Sequence, residues 1–374
     1  MKKYIYEYKK WPNFTWDEKK VSVVLGKVRH LQGKVFGQMI NLGFSLQKET
    51  LLSTLTLDVL KSSEIEGDFL NYKQVRSSIA QKLGIENAGM VHVGRDVEGV
   101  VEMMLDATQN FNSFLSEERL FSWHAALFPS GRSGMYQIDI GSYRKGEMQI
   151  VSGPMGKEKV HFQAPDFKLV ANEMRLFLDW INTDESVDPV IKAAIAHFWF
   201  IIIHPFDDGN GRIARALTDM LLARSETSSL RFYSLSSQIL LEKKIYYSVL
   251  QKIQHSAGDI TEWLDWFLKC MYRALEATEI TLKNVLNKAD FWEMHKETEL
   301  NSRQRLILNK LLDGFDGKLK SSKWAKIAKC STDTALRDIQ DLIKKDILQK
   351  DASGGRSTNY ELRAMPGGYK EQRQ

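Results

Sequence analysis

Twelve residues, HPFDDGNGRIAR at positions 204–215, hold one histidine, two aspartates, an asparagine, two glycines and two arginines. No other stretch of the chain concentrates so many groups able to move protons or hold anions. His204, with an ordinary pKa of roughly 6.5, is a candidate general base near neutral pH. Ahead of it, VIKAAIAHFWFIIIH is apolar on every side, which predicts a central buried helix. Behind it, RIARALTDMLLAR contains no breaker and predicts a second helix. Pro205 ends the first helix by removing a donor, and the glycines permit a tight loop. The second helix starts near Gly209–Arg212, so its unpaired N–H groups face whatever lies over Gly209, Asn210 and Gly211. Helix dipole, bare backbone and the guanidinium pair Arg212 and Arg215 all favour phosphates there. Asp208 would repel phosphate unless a hard divalent cation bridges the two, which points to Mg2+. These residues together fit transfer of a nucleotide phosphate onto a hydroxyl.

Rival readings explain less. GNGRIA matches the loose G-x-G-x-x-A of dinucleotide folds, with FWFIII as a strand and LRFYSL as its partner. HPFDD, however, intrudes between that strand and the glycines, and no acidic ribose residue is well placed. His197, His204 and Asp208 make a poor zinc set. Two histidines seven apart on a helix are separated by about 10 Å of rise, beyond the reach of zinc–nitrogen bonds of about 2 Å. GPMGKEK lacks the spacing of a P-loop. A capped turn between two core helices accounts for Pro205 and the glycines, but not for both arginines beside Asp208.

The elements that must position these residues are mostly helical. Residues 18–61 have leucines and valines at helical spacing, and no proline lies between Pro12 and Pro129. Residues 96–114 and 115–128 predict two more helices, the latter stopping at Pro129. Over 130–165 the pattern changes to six glycines and the alternating EMQIV and KVHFQ, which predicts a β-hairpin. Helices resume at Asp166 and run, with breaks, to about Glu293. In the tail, NSRQRLILNKLLDG, SSKWAKIAKCS and STDTALRDIQDLIKKD predict three helices, and ILQKDASGGRSTNYELR alternates around a glycine turn. That order describes a winged helix. Thr334, Arg337, Gln340 and Lys344 share one face of its third helix and could contact DNA, while Asp338, Asp341 and Asp346 dilute the charge. Docking of a protein partner is the alternative.

Charge is uneven. From Asn301 onward 16 Lys and Arg stand against nine Asp and Glu, a surplus of seven, whereas the whole chain carries only +5. The two cysteines, Cys270 and Cys330, suggest no disulfide framework and a reducing compartment. The N-terminus MKKYIYEYKKWPNF lacks the apolar run of a signal peptide, and FWFIII is too short to span a bilayer. A cytoplasmic protein with no membrane partner is expected.

HPFDDGNGRIAR resembles the Fic family motif H-P-F-x-[D/E]-G-N-G-R-x-x-R and agrees with it at every defined position. GSYR and HFQAP around the hairpin, and YYSVL with GDITEWLDWFL downstream, are also similar, so the resemblance covers roughly residues 90–270. It implies a mainly α fold: a Fic-type helical core with a small β-hairpin flap, plus the C-terminal winged-helix domain. The expected domains are an N-terminal helical region over 1–90, a Fic catalytic domain over 91–293 and a winged helix over 294–374. The activity implied is transfer of AMP from ATP to a Ser, Thr or Tyr hydroxyl of a target protein, or of the chain itself. His204 would take the hydroxyl proton and Asp208 would hold Mg2+. Gly209, Asn210 and Gly211 would form the anion hole, and Arg212 and Arg215 would hold the outer phosphates. Phe206 would pack the loop onto the core. Ile150, Val151, Ser152 and Gly153 resemble the flap that aligns a target segment by strand pairing. Tyr246 and Tyr247 resemble adenine-side residues, with Gln254 where the family commonly has Asn. Family habit adds a homodimer.

SSEIEG, residues 62–67, matches the family's inhibitory pattern [S/T]-x-x-x-E-[G/N] at Ser62, Glu66 and Gly67. Ser62 and Glu66 lie on one helix face, with Gly67 at its end. A carboxylate on Arg215 would deprive the γ-phosphate of its guanidinium. The same glutamate could instead position water for AMP removal. Other outcomes left open are transfer of phosphate, UMP or phosphocholine, and a DNA-binding regulator whose core only senses nucleotide.

Overall fold

The apolar run ahead of the motif folds as the helix Pro189–Ile203, and all but three of its 15 residues are buried. This is a computed structural model, which describes residues 3–40, 42–85, 91–152, 159–312, 315, 317–351 and 358–363. The chain divides into two units, Met1–Thr278 and Glu279–Gln374.

The first unit carries the motif. Its helices are α1 (Glu18–Ile40), α2 (Phe44–Glu66), α3 (Tyr72–Lys82), α4 (Arg95–Gln109), α5 (Glu117–Leu127), α6 (Phe167–Thr183), α7 (Pro189–Ile203), α8 (Asn210–Glu226), α9 (Leu235–Leu241), α10 (Lys243–Ile253) and the beginning of α11 (Thr261–Met294). α7 is capped by Asp188, whose side chain accepts from the Val190 amide, with Pro189 pre-set for the first helical turn. It packs along α8, and α8 in turn meets α2, α4 and α5. A helix apolar all round must be surrounded: α6 as well as α8 packs against α7, and the rings of Trp11, Phe14 and Trp263 meet Phe198 and Trp199. FWFIII is therefore helical and not a strand, which removes the dinucleotide alternative.

Two sequence expectations change in detail. Residues 18–61 are not one helix: α1 ends at Ile40, and Gly43 caps the start of α2. The glycine-rich stretch 130–165 holds two hairpins. The first pairs β1 (Arg132–Ser133) with β2 (Tyr136–Gln137). The second pairs β3 (Gln149–Ser152) with β4 (Lys159–Gln163), with a register shift between Ile150 and Val151.

In the second unit α12 (Ser302–Leu312), α13 (Ser321–Ala328) and α14 (Thr332–Lys344) precede an antiparallel pair, β5 (Leu348–Lys350) with β6 (Tyr360–Leu362). Leu319 bridges to Tyr360 beside that pair. Trp324, Ile307, Leu308, Ile339 and Leu342 form its core. Among the described residues no helix is long and apolar enough to cross a membrane.

Candidate active site

His204 ends α7 in the left-handed region, at φ 50 and ψ 60. A non-glycine residue held there stores on the order of 1–3 kcal/mol of strain. The reason for tolerating it is the direction it gives the ring. Nδ1 lies 3.2 Å from the Ile201 carbonyl, which can only accept, so Nδ1 carries the proton and Nε2 is left as the basic nitrogen. Burial lowers the His204 pKa to about 4, and the Arg144 guanidinium pushes the same way. The imidazole is thus neutral, in its proton-accepting form, across the physiological range.

The loop after His204 is tied by its own side chains. Asn210 accepts from the Phe206 amide at 3.0 Å and donates to the Phe206 carbonyl at 2.8 Å. Its side chain is thereby committed to the loop, and only its backbone N–H remains for an anion. Phe206 is fully buried and stacks on His124 with ring centroids 4.3 Å apart. Gly209 caps α8 at φ 80, a conformation only glycine adopts freely, and a side chain there would strike Phe128. The Asp208 carboxylate receives the Gly209 amide at 2.6 Å on one oxygen and the Ser133 hydroxyl on the other.

Glu66 lies on the first turn of α8. A Cβ built on Gly211 would stand 2.0 Å from Glu66 Oε1, so the carboxylate sits directly over that glycine. The same oxygen accepts from Arg215 Nη2 at 2.7 Å. Arg215 also donates to the Ser62 hydroxyl and to the Ser62 carbonyl, both at 2.8 Å. Gly67 closes α2 at φ 96 and turns the chain so that Asp68 meets Arg212 Nη1 at 3.2 Å. The Arg212 guanidinium also lies over the Phe128 ring, 5.1 Å from its centroid. Both motif arginines therefore have carboxylate partners from one short segment.

A cavity of about 490 Å3 joins these groups. His204, Asp208 and the Gly209–Gly211 turn form one wall, with Glu66 beside them. Ile150, Val151 and Ser152 also line it, and all three are exposed along β3. Gly153 falls outside the described residues. Tyr246, Tyr247 and Gln254 also line the cavity. Ser62, Gly67, Arg212 and Arg215 do not, because they stand behind Glu66 and the turn.

Tyr246 is buried, with its hydroxyl 2.9 Å from His197 Nε2, while His197 Nδ1 lies 2.9 Å from the Thr218 hydroxyl. Thr218 itself donates to the Ala214 carbonyl, so the proton chain runs Tyr246 to His197 to Thr218. Both His197 nitrogens are thus committed, which disposes of the zinc alternative. Gln254 donates to the His161 carbonyl of β4 at 2.7 Å, so its amide nitrogen fastens the hairpin. Among the described residues no group of three or more His, Cys, Asp or Glu could hold a metal. Asp207 and Asp208 are the carboxylates of the loop that line the cavity, and both Asp208 oxygens are engaged, by the Gly209 amide and the Ser133 hydroxyl.

Arg144 closes the GSYR stretch ahead of the hairpin. It is 2% exposed, and its side chain donates to the His204 carbonyl at 2.8 Å. No local pattern marks a residue 60 positions upstream as a partner of the motif.

Residues 114–222 match the Fic/DOC family, and residues 4–85 match a domain of unknown function, DUF4172. HPFDDGNGRIAR thus lies within the stretch that matches the Fic/DOC family, while Glu66 lies within the DUF4172 match that precedes it. Among its relatives, protein adenylyltransferase fic-1 of Caenorhabditis elegans is 25% identical over 270 residues, 68% of this chain and 48% of that protein. A probable protein adenylyltransferase of Aquifex aeolicus is 29% identical over 136 residues, 36% of this chain and 38% of that protein. This chain thus spans about half, or less, of the length of these curated relatives. A crystal structure of a Fic family protein from Desulfovibrio desulfuricans shares the fold, with TM-score 0.54 at 20% identity over 95% of this chain and 99% of that one.

Proposed function

We propose that this protein is a self-inhibited protein adenylyltransferase, moving AMP from ATP to a Ser, Thr or Tyr hydroxyl of a target protein. The observation that carries it is one cavity holding a neutral His204 with Nε2 available, the Asp208 carboxylate, and the first turn of α8 covered by Glu66. Names of the relatives point to the same activity.

In this reading the polyphosphate lies over Gly209, Asn210 and Gly211, where backbone N–H groups and the helix dipole stabilise its charge. Arg212 and Arg215 hold the outer phosphates once Asp68 and Glu66 have withdrawn. Asp208 would hold Mg2+ against the phosphate oxygens, and the ion supplies charge neutralisation there. His204 Nε2 accepts the target hydroxyl proton as that oxygen bonds to the α-phosphorus. The bond from the α-phosphorus to the bridging oxygen breaks, and pyrophosphate leaves. The exposed edge of β3 offers main-chain pairing to an extended target segment, with Ile150 and Val151 as apolar contacts.

Glu66 blocks this arrangement because a carboxylate over Gly211 and a phosphate oxygen there would repel at van der Waals distance. Intact-mass analysis after incubation with ATP and Mg2+ tests the proposal. Glu66→Gly should gain AMP on itself or on lysate proteins at least tenfold faster than the parent, and Glu66→Gly/His204→Ala should gain none. Equal rates for parent and Glu66→Gly would refute the brake.

A second reading concerns the second unit, a winged helix by its order of elements. Asp338 is buried against Arg303, 2.7 Å away, and Asp341 pairs with Lys345 at 2.6 Å. Asp338 is thus withdrawn from the outer face of α14, where Arg337, Gln340 and Lys344 are exposed and the partly exposed Asp341 is paired with Lys345. With the surplus of seven positive charges in this region, that face suits DNA phosphates. Duplex binding should weaken steeply with salt, and Arg337→Ala/Lys344→Ala should lower the slope of log affinity against log salt by about 2. An unchanged slope would favour a protein partner.

A further inference from the structure

The Arg144 guanidinium lies between the catalytic turn and the hairpin. Its Nε donates to the His204 carbonyl at 2.8 Å, Nη1 to the Gly146 carbonyl at 2.8 Å and Nη2 to the Pro165 carbonyl at 2.5 Å. The Arg144 amide adds a fourth bond, to the Pro205 carbonyl at 2.9 Å. Gly146 precedes β3 and Pro165 follows β4, so the side chain grips both feet of the hairpin and the histidine at once.

We propose that Arg144 is a positioning residue that locks His204 and the target-docking hairpin into one rigid assembly, so that a hydroxyl presented by the hairpin arrives in register with the base. Its role in catalysis rests on the AMP-transfer reading above; its grip on both elements does not.

Three features carry this. First, all three side-chain bonds go to backbone carbonyls in different directions, which the planar fork of arginine can meet and the single ammonium of lysine cannot. Second, His204 sits in a left-handed conformation at the C-terminus of α7, where carbonyls lack helical partners. A buried cation bonded to the His204 carbonyl satisfies that end and complements its negative dipole. Third, Arg144 is buried and is not part of the cavity wall, so it acts through other groups and does not touch substrate. The hairpin gains further support from Gln254, which donates to His161, and from Tyr6, whose hydroxyl donates to the Gln163 carbonyl at 2.8 Å. Neither of those reaches His204.

Arg144→Lys and Arg144→Met in the full-length Glu66→Gly protein test this. Four readouts are taken: ATP affinity, AMP transfer, amide exchange across Gln149–Ser152 and Lys159–Gln163, and titration of His204 by NMR with carbon-13 histidine. Around His204 the other charges are Glu66 from α2 and Asp208 from its own loop, both of which act to raise it. ATP affinity should hold within about twofold in both variants, because the phosphate site is untouched. Transfer should fall about 100-fold, the cost of a reacting group displaced by about 1 Å, and hairpin exchange should accelerate in both. His204 should titrate closer to 6.5 in Arg144→Met and stay low in Arg144→Lys, which keeps the charge and loses the fork. A merely structural arginine would lower thermal stability without singling out the hairpin, whereas the titration shift in Arg144→Met reports only the loss of its charge beside His204. If Arg144→Met fails to fold, slowed transfer with faster hairpin exchange in Arg144→Lys still supports the proposal. Unchanged exchange in a folded Arg144→Lys overturns it. If even the parent shows no AMP transfer, the AMP-transfer reading fails, while hairpin exchange still decides whether Arg144 grips both elements.

Discussion

In the proposed reaction His204 is suited to act as a base because two local facts agree. Its Nδ1 proton is spent on the Ile201 carbonyl, and burial keeps the ring uncharged to about pH 4. The direction of the pH effect follows. The base form is present above the native pKa and is lost as pH falls through it. AMP transfer by Glu66→Gly should therefore show no acid limb near pH 6.5, with the His204 limb appearing only near pH 4. Glu66 raises the His204 pKa, so removing it moves that limb further down and not up. A rate profile falling by half near pH 6.5 would contradict this. Motif spacing alone made His204, Asp208 and the glycine turn legible, since all lie within seven residues of one another. The protonation state was not legible, because desolvation depends on what packs around the ring.

At the scale of elements, α2 meets α8 through a polar seam in an otherwise apolar core. Asp58, Ser62 and Glu66 recur every four residues on α2, and Arg215 and Asp219 do so on α8. Ser62 and Glu66 receive Arg215, while Asp219 receives the fully buried Arg231 at 2.8 Å. Asp58 accepts from the Ser234 hydroxyl at 2.5 Å, and burial together with nearby Asp219 pushes its pKa well up. One guanidinium between two buried carboxylates leaves Asp58 protonated. Asp58→Asn should accordingly cost little and leave the brake in place. Arg231→Met should lose about 3–5 kcal/mol, since Asp219 would be buried without its cation. Urea denaturation measures both, and a large loss in Asp58→Asn with little loss in Arg231→Met would reverse the assignment. The sequence flagged Ser62, Glu66 and Arg215 through motif similarity, but nothing in it marked Asp58, Asp219 or Arg231 as part of the same seam.

At the scale of the whole first unit, three histidines are held neutral by burial: His124 to about pH 4, His197 to about pH 3 and His204 to about pH 4. Unfolded, each would bind a proton below roughly pH 6.5. Between about pH 6.5 and 4 the unfolded chain thus holds more protons, and stability falls with acidification. The raised carboxyls of Asp58 and Asp219 act in the opposite sense, since the native state keeps their protons as pH rises above the ordinary carboxylate range. Urea midpoints should therefore drop on going from pH 7 to pH 5. In His197→Gln that drop should be smaller even though the variant starts less stable; a drop as large as in the parent would show that His197 is not held neutral. The second unit contains none of these three histidines, and its core of Trp324, Ile307 and Leu342 should follow its own transition.

The sequence by itself determined the helical class, the turn between α7 and α8 and the cap residues, because each depends on spacing over a few residues: apolar periodicity, a proline, a glycine. It also flagged Glu66, but only through similarity to a motif. That Glu66 reaches Arg215, 149 residues further on, was decided by the packing of α2 against α8. The same holds for Arg144 beneath His204, for Gln254 fastening β4 and for the turning inward of Asp338 on α14. Burial, charge pairing and pKa are properties of neighbours in space, and chain order does not list a residue's neighbours until the fold has brought them together.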